Sequence, residues 1–241
     1  MKLLIWNIQQ GGGPRRAGIV DRLRHHDADV VVLIEFIPDS AGIFPELSSN
    51  PHWPHRYCTD RNGHDYSLCI LSKTPGTAKP AGLPVLDQSG LWLETELPAY
   101  EFSIGVVHVP TKKGQKRPYC DALVKTAAAT KNGPLLLAGD FNTGRHPIDG
   151  DLKSLGGVQQ FQAMLDGGFV DAWRQFRGNQ QEYSFFRRGR GYRIDHALAS
   201  RSLLSRVRSC DYSHGEREDG MSDHSALILE IDGSAPYSAR P

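Results

Sequence analysis

Leu135-Leu136-Leu137-Ala138-Gly139-Asp140-Phe141-Asn142 carries the main clue to both the fold and the chemistry of this chain. An apolar run ending in glycine predicts a buried strand stopped by a turn residue. A carboxylate and an amide then stand just beyond its C-terminal edge. Residues two apart on an extended chain face the same side, so the spacing predicts that Asp140 and Asn142 reach one reacting atom together. Asp140 is suited to orient or deprotonate a water, and Asn142 to donate a hydrogen bond to a charged oxygen. The structural alternative is an Asx-turn closing the strand.

The same grammar recurs elsewhere in the chain. Val30-Val31-Val32-Leu33-Ile34 runs into Glu35, and Ile5-Trp6 runs into Asn7. Ser222-Asp223-His224 stands immediately before the apolar run Ser225–Ile231. Neighbouring residues leave a strand edge on opposite sides, so Asp223 can hold a cation while His224 shares a proton with another acid. Tyr192-Arg193-Ile194-Asp195-His196 offers that acid. Asp195 points away from Ile194 and His196, and His196 falls on the apolar side as a core histidine. Each motif alone reads equally well as a polar loop. Together, five strand ends carry anionic or hydrogen-bonding side chains where open α/β sheets place ligands. Gathered carboxylates repel one another without a hard cation, and oxygen donors without cysteine favour Mg²⁺ or Mn²⁺.

Further runs predict strands at Lys2–Trp6, Asp29–Glu35, Ser67–Leu71, Leu91–Leu97, Phe102–Val107, Arg193–Leu198 and Ala226–Ile231. Helices are expected over Pro14–His26, Arg117–Thr130 and Gln159–Leu165. Adjacent strands without a crossover helix argue for mixed sheets and against a purely parallel layout. The 241 residues contain no linker, so one domain over 1–232 with a loose tail at 233–241 is expected. A net charge of +1 places any affinity for polyanions in local clusters. Cys58, Cys69, Cys120 and Cys210 lack metal-like spacing and are expected as reduced, packed thiols. No signal core and no membrane-length apolar run is visible, so a cytoplasmic monomer is the default expectation.

In chain order, Trp6-Asn7, Glu35, His108-Val109-Pro110, Gly139-Asp140-Phe141-Asn142, Arg193-Ile194-Asp195 and Ser222-Asp223-His224 resemble the signature of the endonuclease/exonuclease/phosphatase superfamily. That superfamily includes abasic-site endonucleases, pancreatic-type deoxyribonuclease, sphingomyelinases and inositol-polyphosphate 5-phosphatases. The resemblance implies a four-layer α/β/β/α sandwich, two mixed β-sheets face to face with helices outside. It also implies Mg²⁺-dependent attack of water on a phosphate ester, with Mn²⁺ able to substitute. By resemblance Glu35 is the main metal ligand, with Asn7 and Asp223 in its shell. Asp140, helped by Asn142, positions or activates the water, and His224, oriented by Asp195, touches the scissile phosphate. His108 resembles the strand-end histidine used as a general acid or phosphate contact by the deoxyribonuclease and sphingomyelinase branches. Two departures pull away from dedicated abasic-site repair. Gln9 stands where the family often has an acid or shorter amide, and Ile34 precedes Glu35 where abasic-site enzymes have glutamine.

Two basic stretches bear on the substrate: Thr111–Arg117 and Glu182–Arg193. Lys112, Lys113, Arg187, Arg188, Arg190 and Tyr192 are the candidate substrate contacts, because arginine interleaved with aromatics suits phosphate backbones and stacked bases. Nucleic acid is therefore favoured over a small or lipid-linked phosphate ester. A silent binding module is disfavoured, since binding alone needs no water activator. The chain has no GxSxG, no CxxxxxR loop and no P-loop, which removes support for covalent or nucleotide-driven chemistry.

Overall fold

The computed structural model describes residues 1–37, 47, 51–60, 65–79, 83, 89–130 and 133–232; the expected tail 233–241 lies outside them. Two six-stranded sheets dominate. The first runs, in spatial order, β13 (Val207–Ser213), β14 (Ala226–Ile231), β1 (Lys2–Asn7), β2 (Val30–Phe36), β4 (Ser67–Ser72) and β3 (His55–Cys58). The second runs β5 (Thr77–Lys79), β6 (Trp92–Leu97), β7 (Phe102–His108), β8 (Leu135–Asp140), β12 (Asp195–Ser200) and β9 (Phe169–Asp171). A separate hairpin joins β10 (Phe185–Arg187) to β11 (Arg190–Tyr192). In each large sheet one central pair is parallel, β1 with β2 and β7 with β8, and the rest are antiparallel. A parallel pair needs a crossover, and α1 (Arg16–His26) and α2 (Lys113–Thr130) supply the two.

The period-two alternation of the strands builds the layers. Leu3, Ile5, Val30, Val32 and Ile34 from the first sheet meet Ile104, Val106, Leu136, Ala138, Ala197 and Ala199 from the second in one buried core. The intervening residues face outward under helices. Leu4, Trp6, Val31 and Leu33 pack beneath Ile19, Val20 and Leu23 of α1. Val107, Leu135 and Leu137 pack beneath Tyr119, Cys120 and Leu123 of α2 and beneath Phe161 and Met164 of α3 (Val158–Asp166). The result is the expected helix–sheet–sheet–helix sandwich. No described helix is long and apolar enough to cross a membrane.

Several boundaries move. The stretch expected to start α1 at Pro14 is instead a 3₁₀ segment, Gln10–Arg15. Gln9 through Gly13 all take positive φ, and the helix begins only at Arg16. The second helix starts at Lys113, a turn before the expected Arg117, and the strand expected from Arg193 starts at Asp195. Sequence patterning missed β13, whose Val-Arg-Ser-Cys-Asp-Tyr-Ser composition is too polar to signal a strand; it is an edge strand, where such residues are tolerated.

Candidate active site

The site is the last layer of the inter-sheet core. Two residues past Ile5, Val106 and Ala138, and two before Ala197 on an antiparallel strand, come Asn7, His108, Asp140 and Asp195, which inherit the inward parity of those core positions. Register aligns three of them across the second sheet: His108 lies opposite Asp140, and Asp140 opposite Asp195. Gly139 makes this possible. Its φ is +139°, and a Cβ there would meet the Val107 carbonyl oxygen at 2.1 Å. Only glycine lets β8 press so close to β7 while delivering Asp140 to the gap.

Glu35 has the wrong parity, since Ile34 already faces inward. A bulge corrects it. Register advances three residues on β2, from Leu33 to Phe36, against two on β4, and Glu35 itself adopts φ 58°. Its side chain thus turns to the shared cavity. Asn7 Nδ2 donates to Glu35 Oε1 at 3.3 Å and to Asp140 Oδ2 at 3.2 Å, joining the two sheets. The Gln10 backbone N–H donates to Glu35 Oε2 at 2.8 Å. His108 Nε2 stands 3.8 Å from Glu35 Oε1 and 4.0 Å from Asp140 Oδ2.

His224 completes the group from the loop before β14. Its Nδ1 lies 2.8 Å from Asp195 Oδ2, which also accepts from Ser184 Oγ at 2.6 Å. Ser222 Oγ donates to the Asn7 carbonyl at 2.6 Å and accepts from the His224 N–H, tying this loop to β1. Phe185 stacks on the His224 ring with centroids 4.7 Å apart. Burial works against the His224 imidazolium, but the Asp195 charge and hydrogen bond, with Asp140 and Asp223, hold it up at about 10. Burial and the facing Asp195 push Asp140 up to about 6, against the pull of His224 and His108.

Glu35, His108, Asp140, Asn142, Asp223 and His224 all line one cavity of about 680 Å³, with Asp195 behind His224. Arg187, Arg188, Arg190 and Tyr192 close its other side. The donors facing it are carboxylate oxygens, a set that suits a hard divalent cation. Asp140, Asp195 and His224 form a tighter group, with ligand atoms within 4.8 Å of one another. There the His224 Nδ1 is already bonded to Asp195, and the surrounding acids favour its protonated form.

Three expectations need correction. Asn142 is not two residues along an extended strand from Asp140. The strand ends at Asp140 and Asn142 turns left-handed at φ 49°. Its backbone N–H reaches Asp140 Oδ1 at 2.8 Å, and its Nδ2 donates to the Val109 carbonyl. Asn7 shows the acids its amide N–H₂ rather than its oxygen, because Oδ1 accepts from the Gln9 N–H at 3.0 Å. Lys112 is exposed and does not line the cavity, and the side chain of Lys113 lies outside the described residues. The earlier start of α2 instead turns Lys116 inward, on the face of Tyr119, Cys120 and Leu123. Arg193, in the second basic stretch, is fully buried and paired with Asp149 and Asp171 beneath the site.

Lys116 was not singled out in the sequence. It is 5% exposed, and its ammonium donates to the Asn142 and Leu155 carbonyls, each at 2.7 Å. Burial lowers its pKa. The helical spacing 116, 119, 120, 123 could have found it, since it places a lysine on an apolar face.

A two-sheet sandwich whose core ends in clustered acids, an imidazolium and a rim of arginines defines a hydrolase of phosphate esters. The chain belongs to the endonuclease/exonuclease/phosphatase family, whose sequence model matches residues 4–224. The DNA repair nuclease APEX1 of Danio rerio is 24% identical over 258 residues, covering 95% of this chain and 81% of that protein. The 3′-5′ exonuclease NExo of Neisseria meningitidis superposes with a TM-score of 0.81 at 24% identity, over 96% of this chain and all 100% of that one. An AP endonuclease from Archaeoglobus fulgidus superposes with a TM-score of 0.79 at 18% identity, over 96% and 99% of the two chains. These superpositions share the fold.

Proposed function

We propose that this enzyme is a Mg²⁺-dependent nuclease that hydrolyses phosphodiester bonds in DNA, with residues 1–232 acting as one domain. The observation that carries the substrate class is the β10–β11 hairpin. Register places Arg187 directly opposite Arg190, with Arg188 left-handed at the tip, and all three line the cavity of Asp140 and His224. Like charges opposed across a ladder are destabilising, so their presence here fits a polyanion lying between them. The names of the relatives agree: one is a DNA repair nuclease, and a Neisseria 3′ phosphatase NExo variant with a TM-score of 0.81 was solved with a product DNA hairpin.

In this reading Glu35, with Asp223, would hold the cation, and Asn7 orients Glu35 and Asp140. A cation held there would supply Lewis-acid relief of the negative charge on the phosphate ester. Asp140 takes a proton from the attacking water, a task suited to a carboxyl raised toward neutrality. The His224 imidazolium, aligned by Asp195, gives its Nε2–H to the phosphate as charge builds. His108, 3.8 Å from Glu35 and 4.0 Å from Asp140, would serve as a second phosphate contact, and the Asn142 backbone N–H holds Asp140. Tyr192 is buried with Leu152 and Ile194, and Phe185 stacks on His224, so the two aromatics back the cavity wall beside the arginines.

Plasmid nicking, cleavage of abasic and blunt oligonucleotides, and release of phosphate from small monoesters, each with Mg²⁺, Mn²⁺ or EDTA, test the assignment. Metal-dependent cleavage of DNA is expected, and activity confined to small esters would refute it. Replacing Arg187, Arg188 and Arg190 with glutamine should weaken DNA binding and flatten log K against log salt by about 0.9 for each phosphate no longer neutralised. An unchanged slope would remove the hairpin from the interface.

A further inference from the structure

Cys58 and Cys69 face each other across the antiparallel β3–β4 ladder as direct register partners. The next rung is hydrogen-bonded, Thr59 N–H to the Leu68 carbonyl at 3.0 Å. Alternation then makes Cys58–Cys69 a non-hydrogen-bonded rung, the kind whose side chains approach most closely. Their sulfurs are 2.7 Å apart, against about 2.05 Å for a covalent S–S bond. A non-hydrogen-bonded rung also sets the Cα atoms about 4.5 Å apart, inside the range a disulfide spans. Cys120 and Cys210 are buried, have no such partner among the described residues, and serve as internal controls.

We propose that Cys58 and Cys69 form a reversible disulfide, a thiol modification site built into the first sheet apart from the hydrolytic chemistry. Only Cys58 is partly exposed, whereas Cys69 is buried. The order of events follows from that access. Cys58 thiolate attacks one sulfur of a small-molecule disulfide, forming a mixed disulfide and releasing one thiol. Cys69 then attacks the Cys58 sulfur, gives up its proton, and releases the second thiol. The protein loses two hydrogens and two electrons, and the small disulfide gains them as two thiols. The new bond fastens the edge strand β3 to β4. β4 pairs in turn with β2, the strand that carries Glu35.

The test uses the full chain equilibrated in glutathione buffers from reducing to oxidising, then denatured, alkylated and mapped by peptide mass. Free thiols are expected to fall from four to two per chain, with Cys58 joined to Cys69 and both restored by dithiothreitol. Cys69→Ala should stop at one glutathione on Cys58, the trapped first step. Four free thiols at every ratio, or a crosslink through Cys120 or Cys210, would overturn the proposal. The thermal midpoint of the wild type should rise on oxidation, and that shift should vanish in the Cys58→Ala, Cys69→Ala double variant. A shift of equal size in the double variant would also overturn it.

Discussion

The two sheets repeat one plan and end it differently. β1–α1–β2 and β7–α2–β8 are each a parallel pair joined by a helical crossover and flanked by antiparallel strands. The first strands end in Asn7 and His108; of the second, β8 ends in Asp140 and β2 carries Glu35 one residue before its end. Eight positions past each first strand (7 to 15, 108 to 116) a cation ties two loop carbonyls together. Arg15 holds those of Gln9 and Met221, and Lys116 those of Asn142 and Leu155. The carboxylates part company. Glu35 arrives through a bulge and stays one-fifth exposed, whereas Asp140 arrives in register, is buried, and faces another acid. One architecture thus yields an acid open to a cation and an acid set up to exchange a proton.

The largest effect should separate those two acids. Asp140→Asn keeps the shape and the bond from the Asn142 N–H but removes the proton acceptor, so kcat should fall by about 10³- to 10⁴-fold with no rescue by added Mg²⁺. Single-turnover cleavage across a Mg²⁺ titration measures this, and recovery at high Mg²⁺ would make Asp140 a ligand rather than a base.

The same asymmetry should show in stability without metal. Asp140 rises from 3.8 to about 6 in the folded chain, so folding favours its protonated form. Stability is therefore lost as pH rises from about 4 to about 6, by on the order of 3 kcal/mol. His224, raised from 6.5 to about 10, stabilises fully below pH 6.5 and loses that contribution as pH rises toward 10. Denaturant midpoints in EDTA should fall in two stages, and Asp140→Asn should abolish the first. A midpoint that climbs between pH 4 and 6 would contradict the burial argument.

Glu35→Gln should do the complementary thing. Losing one carboxylate charge at the open end should raise the half-saturating Mg²⁺ concentration about tenfold, a cost of about 1.4 kcal/mol in cation binding, with kcat largely recovered at saturation. An unchanged Mg²⁺ requirement would move the cation away from Glu35.

The parts legible in the sequence were those that follow parity. Alternation through Leu136, Ala138 and Asp140, or Ala197 and Asp195, puts core and site on one face, so the strand ends named the cavity. What broke parity stayed hidden. Nothing in Val-Val-Val-Leu-Ile-Glu signals a bulge at Glu35, since register depends on β4, distant along the chain. The left-handed turn at Asn142 likewise depends on hydrogen bonds with Val109 and Lys116 from other elements. Arg193 looked like its basic neighbours because its acidic partners, Asp149 and Asp171, come from 44 and 22 residues away. Charge is visible in a sequence; its burial is set by partners that the sequence does not place.

The paired cations give the smallest and most discriminating effect. Arg15→Ala unties the Gln9 turn from the Met221 loop and so loosens both Glu35, held by Gln10, and the loop carrying His224. The loss should be about tenfold in kcat/KM, the worth of one charged hydrogen bond of about 1.5 kcal/mol. Arg15→Lys asks whether the two halves use interchangeable ties. Lys116 shows that an ammonium can hold two carbonyls at 2.7 Å each, so Arg15→Lys should stay within about threefold of wild type. If it instead behaves like Arg15→Ala, the planar fork is required to bridge the Gln9 and Met221 carbonyls. The resemblance between the halves would then be one of chain path, with the cation chemistry fitted separately to an open site and a buried one.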